Sequence, residues 1–306
     1  MKRTPFLLVL GLILILFIDS TTKPKVVVTN FSKQSSTKRK VIFIAGACSH
    51  EPGAHEHFAG CQLLAAELNK NIGEKVEASV FQLWPSDTTV LNDAATIVLY
   101  MDGGEGHLAI KHLNHLEALM KKGVGLACLH YAVEVPVEKG GPEFKNWLGG
   151  YFETFWSVNP IWKAEFQSLP ENDVTRGVKP FTAYDEWYYH MRFQNNMQGV
   201  TPVLTAVPPT STFEGKDGAH SGNEFVRKEK DTPQHVAWIT KRKDGGRGFG
   251  FTGGHYHKNW GDENIRKLVL NSIVWTANVK VPADGVRTTP LSEEELKKNL
   301  DTKPCR

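Results

Sequence analysis

The feature of this 306-residue sequence that most constrains its fold is a series of short apolar runs, residues 41–45, 76–81, 96–101 and 124–129, bounded by Gly, Asp and Asn. Runs of this length and continuity read as strands buried on both faces. Between them, residues 60–70 and 107–121 place apolar side chains three and four apart, the helical period. Strand and helix therefore alternate, which predicts an α/β fold with a parallel sheet and helices on both faces.

The middle of the chain breaks this rhythm. Residues 162–166, 186–193, 200–207 and 235–243 are strand-like, often aromatic, and have no helix between them. They predict a β-rich insertion or antiparallel extension. Another strand is expected over 248–254 and a closing helix over 264–278. Beyond Pro282 the chain is charged and Pro-containing, and a peripheral tail is expected at 280–306.

Ahead of the domain, Met1-Lys2-Arg3 and the apolar run over 6–18 have the pattern of a secretory signal over residues 1–20. The run is short for a bilayer span, which takes about 20 residues, and the small-residue cleavage site is poorly formed, so an uncleaved anchor is the alternative. The expectation is an exported protein, periplasmic or anchored facing the periplasm, with membrane contact only through this segment. Residues 21–40, rich in Ser, Thr and Lys, have the composition of a tether, and one domain spans 41–279. The four cysteines make no disulfide framework in a chain this long, and each reads alone: Cys61 and Cys128 as buried small apolar residues, Cys305 in the tail, and Cys48 in a motif. With 36 basic and 33 acidic residues and no basic face, nucleic acid is not an expected partner. The oligomeric state is left open, a homo-oligomer included.

In parallel α/β sheets, ligands bind beyond the carboxyl ends of the strands. Here those ends are rich in histidine. The first strand leads to Cys48-Ser49-His50 and then His55-Glu56-His57, the third to Asp102-Gly103-Gly104-Glu105-Gly106-His107, the fourth to His130-Tyr131, and the last to Gly254-His255-Tyr256-His257. Any one of these has a bland reading as a structural histidine, but their convergence on one sheet edge does not. The pairs His55/His57 and His255/His257 are spaced to reach one ion from extended backbone, or else to cap helices and stack on aromatics. His55, His57, Asp102, Glu105, His130, His190 and His255 form a donor pool suited to a divalent zinc, iron or nickel ion. The glycine-rich loop at 102–107 offers backbone N–H groups or is a tight turn; it matches no nucleotide-binding spacing, and no nucleotide cofactor is expected. In Tyr184-Asp185-Glu186-Trp187-Tyr188-Tyr189-His190, carboxylates beside rings suit a sugar. A half-buried strand with Trp187 and Tyr189 inward accounts for the same pattern.

Several of these segments resemble the ThuA-like (trehalose utilisation) family, which shares the flavodoxin-like, class I glutamine amidotransferase-like fold. The resemblance rests on Gly123-Val124-Gly125-Leu126-Ala127-Cys128-Leu129-His130, Gly149-Gly150, Val174-Thr175-Arg176-Gly177, Asp185-Glu186-Trp187-Tyr188, Gly254-His255, Trp260, Arg266 and the Leu-Asn-x-Ile-x-Trp pattern ending at Trp275. In amidotransferases a strand-to-helix elbow presents a cysteine nucleophile, and a His-x-Glu element supplies the base. Here His130 falls at the elbow, Cys128 lies two residues back, and no glutamate follows His255 in that pattern, so a glutaminase triad is not expected. The resemblance implies a small-molecule carbohydrate substrate, a disaccharide or 3-keto sugar. The enzyme implied is an isomerase, lyase or hydrolase, with His130, His255 and Glu186 catalytic and Asp102, Glu105, Asp185, Trp187, Tyr188 and Tyr131 against the substrate. His55, His57, His190 and His257 are the expected metal residues. The alternatives are a non-catalytic carbohydrate-binding or assembly protein and a hydrolase of a non-sugar substrate.

Overall fold

The computed structural model describes residues 38–305; the expected signal or anchor, and the tether as far as residue 37, lie outside the described residues. The chain runs β1 (Arg39–Ala45), α1 (His57–Ile72), β2 (Val76–Gln82), β3 (Ala94–Tyr100), α2 (Leu113–Met120), β4 (Gly125–Leu129), α3 (Gly141–Leu148), β5 (Gly150–Tyr151), β6 (Ile161–Phe166), β7 (Phe181–Glu186), β8 (Arg192–Phe193), β9 (Val200–Ala206), α4 (Glu224–Lys228), β10 (Gln234–Lys241), β11 (Arg247–Phe251), α5 (Glu263–Thr276) and α6 (Glu293–Lys297). Seven strands form one sheet in the order β2-β1-β3-β4-β11-β10-β9. The first five are mutually parallel, and β10 pairs antiparallel with both β11 and β9. Two small antiparallel sheets, β5-β8 and β6-β7, complete the β-rich part.

The two-residue period of the strands sorts their side chains between two cores. In β1, Val41 and Phe43 enter one cluster with Leu64 and Leu68 of α1 and Leu268 and Ile273 of α5. Ile42 and Ile44 enter the other, with Leu116 and Leu119 of α2 and Phe144 and Leu148 of α3. Because every residue of β3 and β4 is buried, the faces of the central sheet are almost wholly apolar, and the Thr96 hydroxyl of β3 is spent on that of Thr276 at 2.9 Å. Polar chemistry is confined to the strand ends.

Three expectations are corrected. The run 186–193 is not one strand: β7 ends at Glu186, Tyr189 makes a single antiparallel bridge to Val158, and Arg192 and Phe193 pair with β5 in the other small sheet. The helix expected over 107–121 is split, because His107 accepts from Ala109 N and opens a 3₁₀ turn, Leu108–His112, ahead of α2. The tail is not peripheral. Val286 is fully buried, Arg266 of α5 donates to the Thr289 carbonyl, and Cys305 forms a disulfide with Cys48 across 257 positions. Sequence alone left these two cysteines separate; the fold lays the last residues over the loop that follows β1. Cys61 and Cys128 are free and buried. Among the described residues no helix is long and apolar enough to cross a membrane.

Candidate functional site

Because β1, β3, β4 and β11 are adjacent and parallel, their carboxyl ends open at one edge of the sheet. The loop after β1 brings His50 and His55, β3 is followed by Asp102, β4 by His130, and β11 by Gly253, Gly254 and His255. The small sheet adds Glu186 from the end of β7. Local backbone conformation serves this convergence. His50, His55 and His130 sit at φ of 60°, 48° and 55°, a left-handed region that side chains with a Cβ enter only at a cost. At His130 that conformation turns the chain from β4 directly into a 3₁₀ turn, Leu129 N-cap to Val133, and aims the imidazole across the edge. Gly254, at φ 109°, makes the corresponding bend before His255.

Two segments far apart in sequence are then stitched together. His55 N donates to the His255 carbonyl at 3.0 Å, and His257 N to the Gly53 carbonyl at 2.9 Å. Asp185, buried, accepts from Gly254 N at 2.7 Å and Tyr256 N at 3.3 Å, which fixes the second segment to β7.

The result is a donor set of His55, His130, His255 and Glu186, one ligand atom from each, all within 4.8 Å of one another. His55 Nε2 lies 3.1 Å from both His130 Nε2 and His255 Nδ1. Glu186 Oε2 lies 3.2 Å from His255 Nδ1 and 3.4 Å from His130 Nε2. The far nitrogens are already engaged. His55 Nδ1 is 2.7 Å from Asp102 Oδ1, and His130 Nδ1 is 2.7 Å from the Thr252 carbonyl. An acceptor at each Nδ1 requires a proton there, so in the neutral rings both Nε2 atoms carry lone pairs, directed at the same point. Lone pairs facing each other at 3.1 Å repel unless a proton or a cation lies between them, and a carboxylate or carbonyl behind the imidazole is the usual orienting contact of a metal-bound histidine.

For His55 and the two carboxylates the electrostatics agree. Burial lowers the pKa of His55 to about 3 despite its bond to Asp102, so the ring is neutral at pH 7, as a ligand must be. Burial alone would raise the Asp102 and Glu186 carboxyls, but the histidines bonded to them hold both well below the usual range, ionised. Burial pushes His255 down, and Glu186 more than compensates, leaving it raised. Tyr188 places its hydroxyl 3.2 Å from His130 Nε2 and 3.3 Å from Glu186 Oε2. Asn159 donates to Glu186 Oε1 at 3.1 Å.

The other predicted residues are placed as follows. His57 stands behind the set: its Nδ1 faces the Ala47 carbonyl at 3.1 Å, and its Nε2 lies 3.6 Å from Asp102. His190 and His257 are not brought to it. His190 stacks on Trp156 and bonds its carbonyl, because the strand that was to carry it alongside Glu186 ends at Glu186. His257 bonds the Leu296 carbonyl of α6, on the far side of the segment from His255. Trp187 is fully buried in the core with Tyr189, so its ring offers no sugar platform, and Asp185 is spent on backbone. Glu105 is exposed at a rim and does not reach the set. The glycine loop is a turn: Gly104 N is satisfied by the Glu134 carbonyl at 3.2 Å. Tyr131 is half-buried, its ring 6.0 Å from that of His55. The sequence assigned no role to His50, whose ring stacks on His55 at 3.5 Å, although its place after β1 was a signal. Asn159 escaped sequence reasoning altogether, for no signal marks it. Cys128 lies inside β4, its thiol pushed well above the usual range by burial, so it supplies no nucleophile.

Comparison with known proteins agrees with this architecture. Two solved structures described as putative ThuA-like proteins are similar in fold. One, from Bacteroides uniformis ATCC 8492, has a TM-score of 0.53 at 16% identity over 78% of this chain and 91% of that one. The other, from Parabacteroides merdae ATCC 43184, has a TM-score of 0.50 at 16% identity over 85% and 99%. No curated protein sequence matches the chain. The family model described as ThuA, trehalose utilisation, matches residues 41–276, from within β1 to the last residue of α5. With its sheet, its elbow histidine and the strand ends that build the donor set all inside that match, the chain belongs to the ThuA, trehalose utilisation, family.

Proposed function

We propose that this protein is an exported enzyme that acts on a 3-keto derivative of a disaccharide, using histidine acid-base chemistry beside a bound divalent zinc, iron or nickel ion. The observation that carries the reading is the donor set: three imidazole nitrogens and one carboxylate oxygen within 4.8 Å, with Asp102 and the Thr252 carbonyl fixing the tautomers of two of the rings. Family membership supports a sugar substrate. The disulfide between Cys48 and Cys305 supports export, since such bonds persist in oxidising compartments.

His55, His130, His255 and Glu186 would hold the ion. When bound, it supplies a positive charge for the carbonyl oxygen of the keto sugar. A carbonyl at C3 acidifies the proton at C2, and removing that proton drives either isomerisation or expulsion of the glycosidic oxygen from C1. His50 is the imidazole placed to accept it. Its side chain is 36% exposed where those of His55 and His130 are 1% and 0%, so it faces incoming substrate while stacking on His55. Tyr131, half-buried with its ring 6.0 Å from that of His55, offers a ring face to the sugar.

The test is metal analysis of the purified protein together with turnover of 3-keto-trehalose. Near-stoichiometric zinc, iron or nickel that is lost in His55→Ala/His255→Ala, with turnover lost in parallel, is the expected result. A metal-free wild type that turns over the substrate would remove the ion from the reading. A metal-loaded protein inert toward keto sugars would remove the substrate.

A further inference from the structure

Next to the histidine set lies a second imidazole–carboxylate pair to which the proposed reaction gives no task. Glu134 ends the turn that carries His130 and Tyr131, and its side chain is 3% exposed. A carboxylate buried this deeply needs a partner. The partner is His220, whose Nε2 lies 2.9 and 3.1 Å from the two carboxylate oxygens. His220 comes from the long connection between β9 and β10, which is bound to the loop after β5: Phe155 N donates to the Ala219 carbonyl at 2.8 Å and Asn159 N to the His220 carbonyl at 3.1 Å. Its ring stacks on Phe152 at 5.4 Å, its side chain is 37% exposed, and its Nδ1 has no hydrogen-bond partner among the described residues. A cleft of about 560 Å³ is lined by Gly103, Glu105, Tyr131, Glu134, Thr154 and His220. Tyr131 stands between this cleft and the donor set, its ring 6.0 Å from that of His55 and 6.5 Å from that of His220.

We propose that this cleft receives the leaving group of the sugar and that His220, oriented by Glu134, donates a proton to the departing glycosidic oxygen. The inference rests on the keto-sugar reading and adds the acid that reading lacks. The C2–H bond breaks and its proton goes to His50. The electron pair left on C2 forms the C1–C2 double bond, and the C1–O bond breaks with its pair on oxygen. That oxygen takes the proton from His220 Nδ1, giving an unsaturated keto sugar and an alcohol, with no oxidant or reductant consumed. With Nε2–H directed at Glu134, only the doubly protonated ring has a proton to give at Nδ1. The bond to Glu134 favours that form against the opposing effect of burial.

The experiment compares the wild-type holoprotein with His220→Gln and Glu134→Gln on two 3-keto glucosides, one with a p-nitrophenolate leaving group and one with methanol. A phenolate of this kind departs without protonation, whereas an alkoxide does not. The proposal expects turnover of the methyl glucoside to fall about 100-fold or more in both variants, turnover of the nitrophenyl glucoside to change only a few-fold, and C2–H exchange in D2O to persist. Equal losses on the two substrates, or no loss on the methyl glucoside, would overturn the acid role while leaving the sugar reading intact. A wild type that neither exchanges C2–H nor releases either alcohol defeats the sugar reading, and the acid role with it. Should Glu134→Gln fail to fold, the half-exposed His220→Gln decides alone.

Discussion

At the scale of single residues, the chemistry depends on which nitrogen of each ring is free. Asp102 is the clearest case, because it stands outside the set of His55, His130, His255 and Glu186 yet fixes the tautomer of His55. Asp102→Asn is expected to weaken metal binding about 10- to 100-fold, read by competition with a chelator, without unfolding the protein. Away from the site, Glu153 accepts from Arg192 Nε at 2.9 Å and from the Tyr151 hydroxyl at 2.6 Å, while Arg192 lies 3.3 Å over the Trp156 ring. Burial pushes the Glu153 carboxyl up, but Arg192 and Tyr151 outweigh it and hold it below the ordinary glutamate range. A carboxyl depressed in the folded state stabilises the protein above its unfolded pKa and loses that contribution as pH falls through the folded value. Glu153→Gln should therefore lower the melting temperature at pH 7 and flatten its dependence on pH below about 4.3. An unchanged acid slope in the variant would show that the pair contributes nothing.

At the scale of elements, the site is a set of loop segments held by backbone contacts rather than a preformed helix face. Asp185 is the clasp between β7 and the segment after β11. Asp185→Asn replaces one acceptor oxygen with a donor facing backbone N–H groups. It should cost about 1–3 kcal/mol in denaturant unfolding and displace His255 enough to reduce metal content. The parallel strands and α1 were legible because an uninterrupted apolar run, or a spacing of three and four, is compatible with few backbone conformations besides a buried strand or an amphipathic helix. The stretch after β7 was not. Trp187 and Tyr189 alternate as a strand would, and both are buried, but β7 ends at Glu186 and pairing resumes there as a single bridge, Tyr189 to Val158. Burial in coil and burial in a strand leave the same two-residue trace when aromatic side chains fill an adjacent core.

At the scale of the whole molecule, the C-terminal residues close over the loop that carries His50 and His55. Beyond the disulfide, Lys303 and Glu56 form an ion pair at 3.2 Å, each side chain 1% exposed, and Asp301 N donates to Glu56 at 2.8 Å. Cys48→Ser/Cys305→Ser should lower stability by about 2–4 kcal/mol, read by denaturant midpoint. The same loss should appear when the wild type is reduced, and it should vanish when the double variant is treated alike. Lys303→Met should cost more, about 3–5 kcal/mol, since it strands a buried carboxylate. What the sequence by itself determined was the alternation of strand and helix, and from it the parallel sheet and the edge where histidines collect, because apolar periodicity and strand-end chemistry are local properties. Which histidines meet was decided only in three dimensions. His55 and His255 are 200 positions apart and are joined by backbone bonds. His190 and His257 are turned away by a strand end and by a helix laid on from the tail. Cys48 finds Cys305 only once the last residues have packed. Each of these depends on contacts between distant segments, and no spacing along the chain encodes a contact that exists only after the sheet has formed.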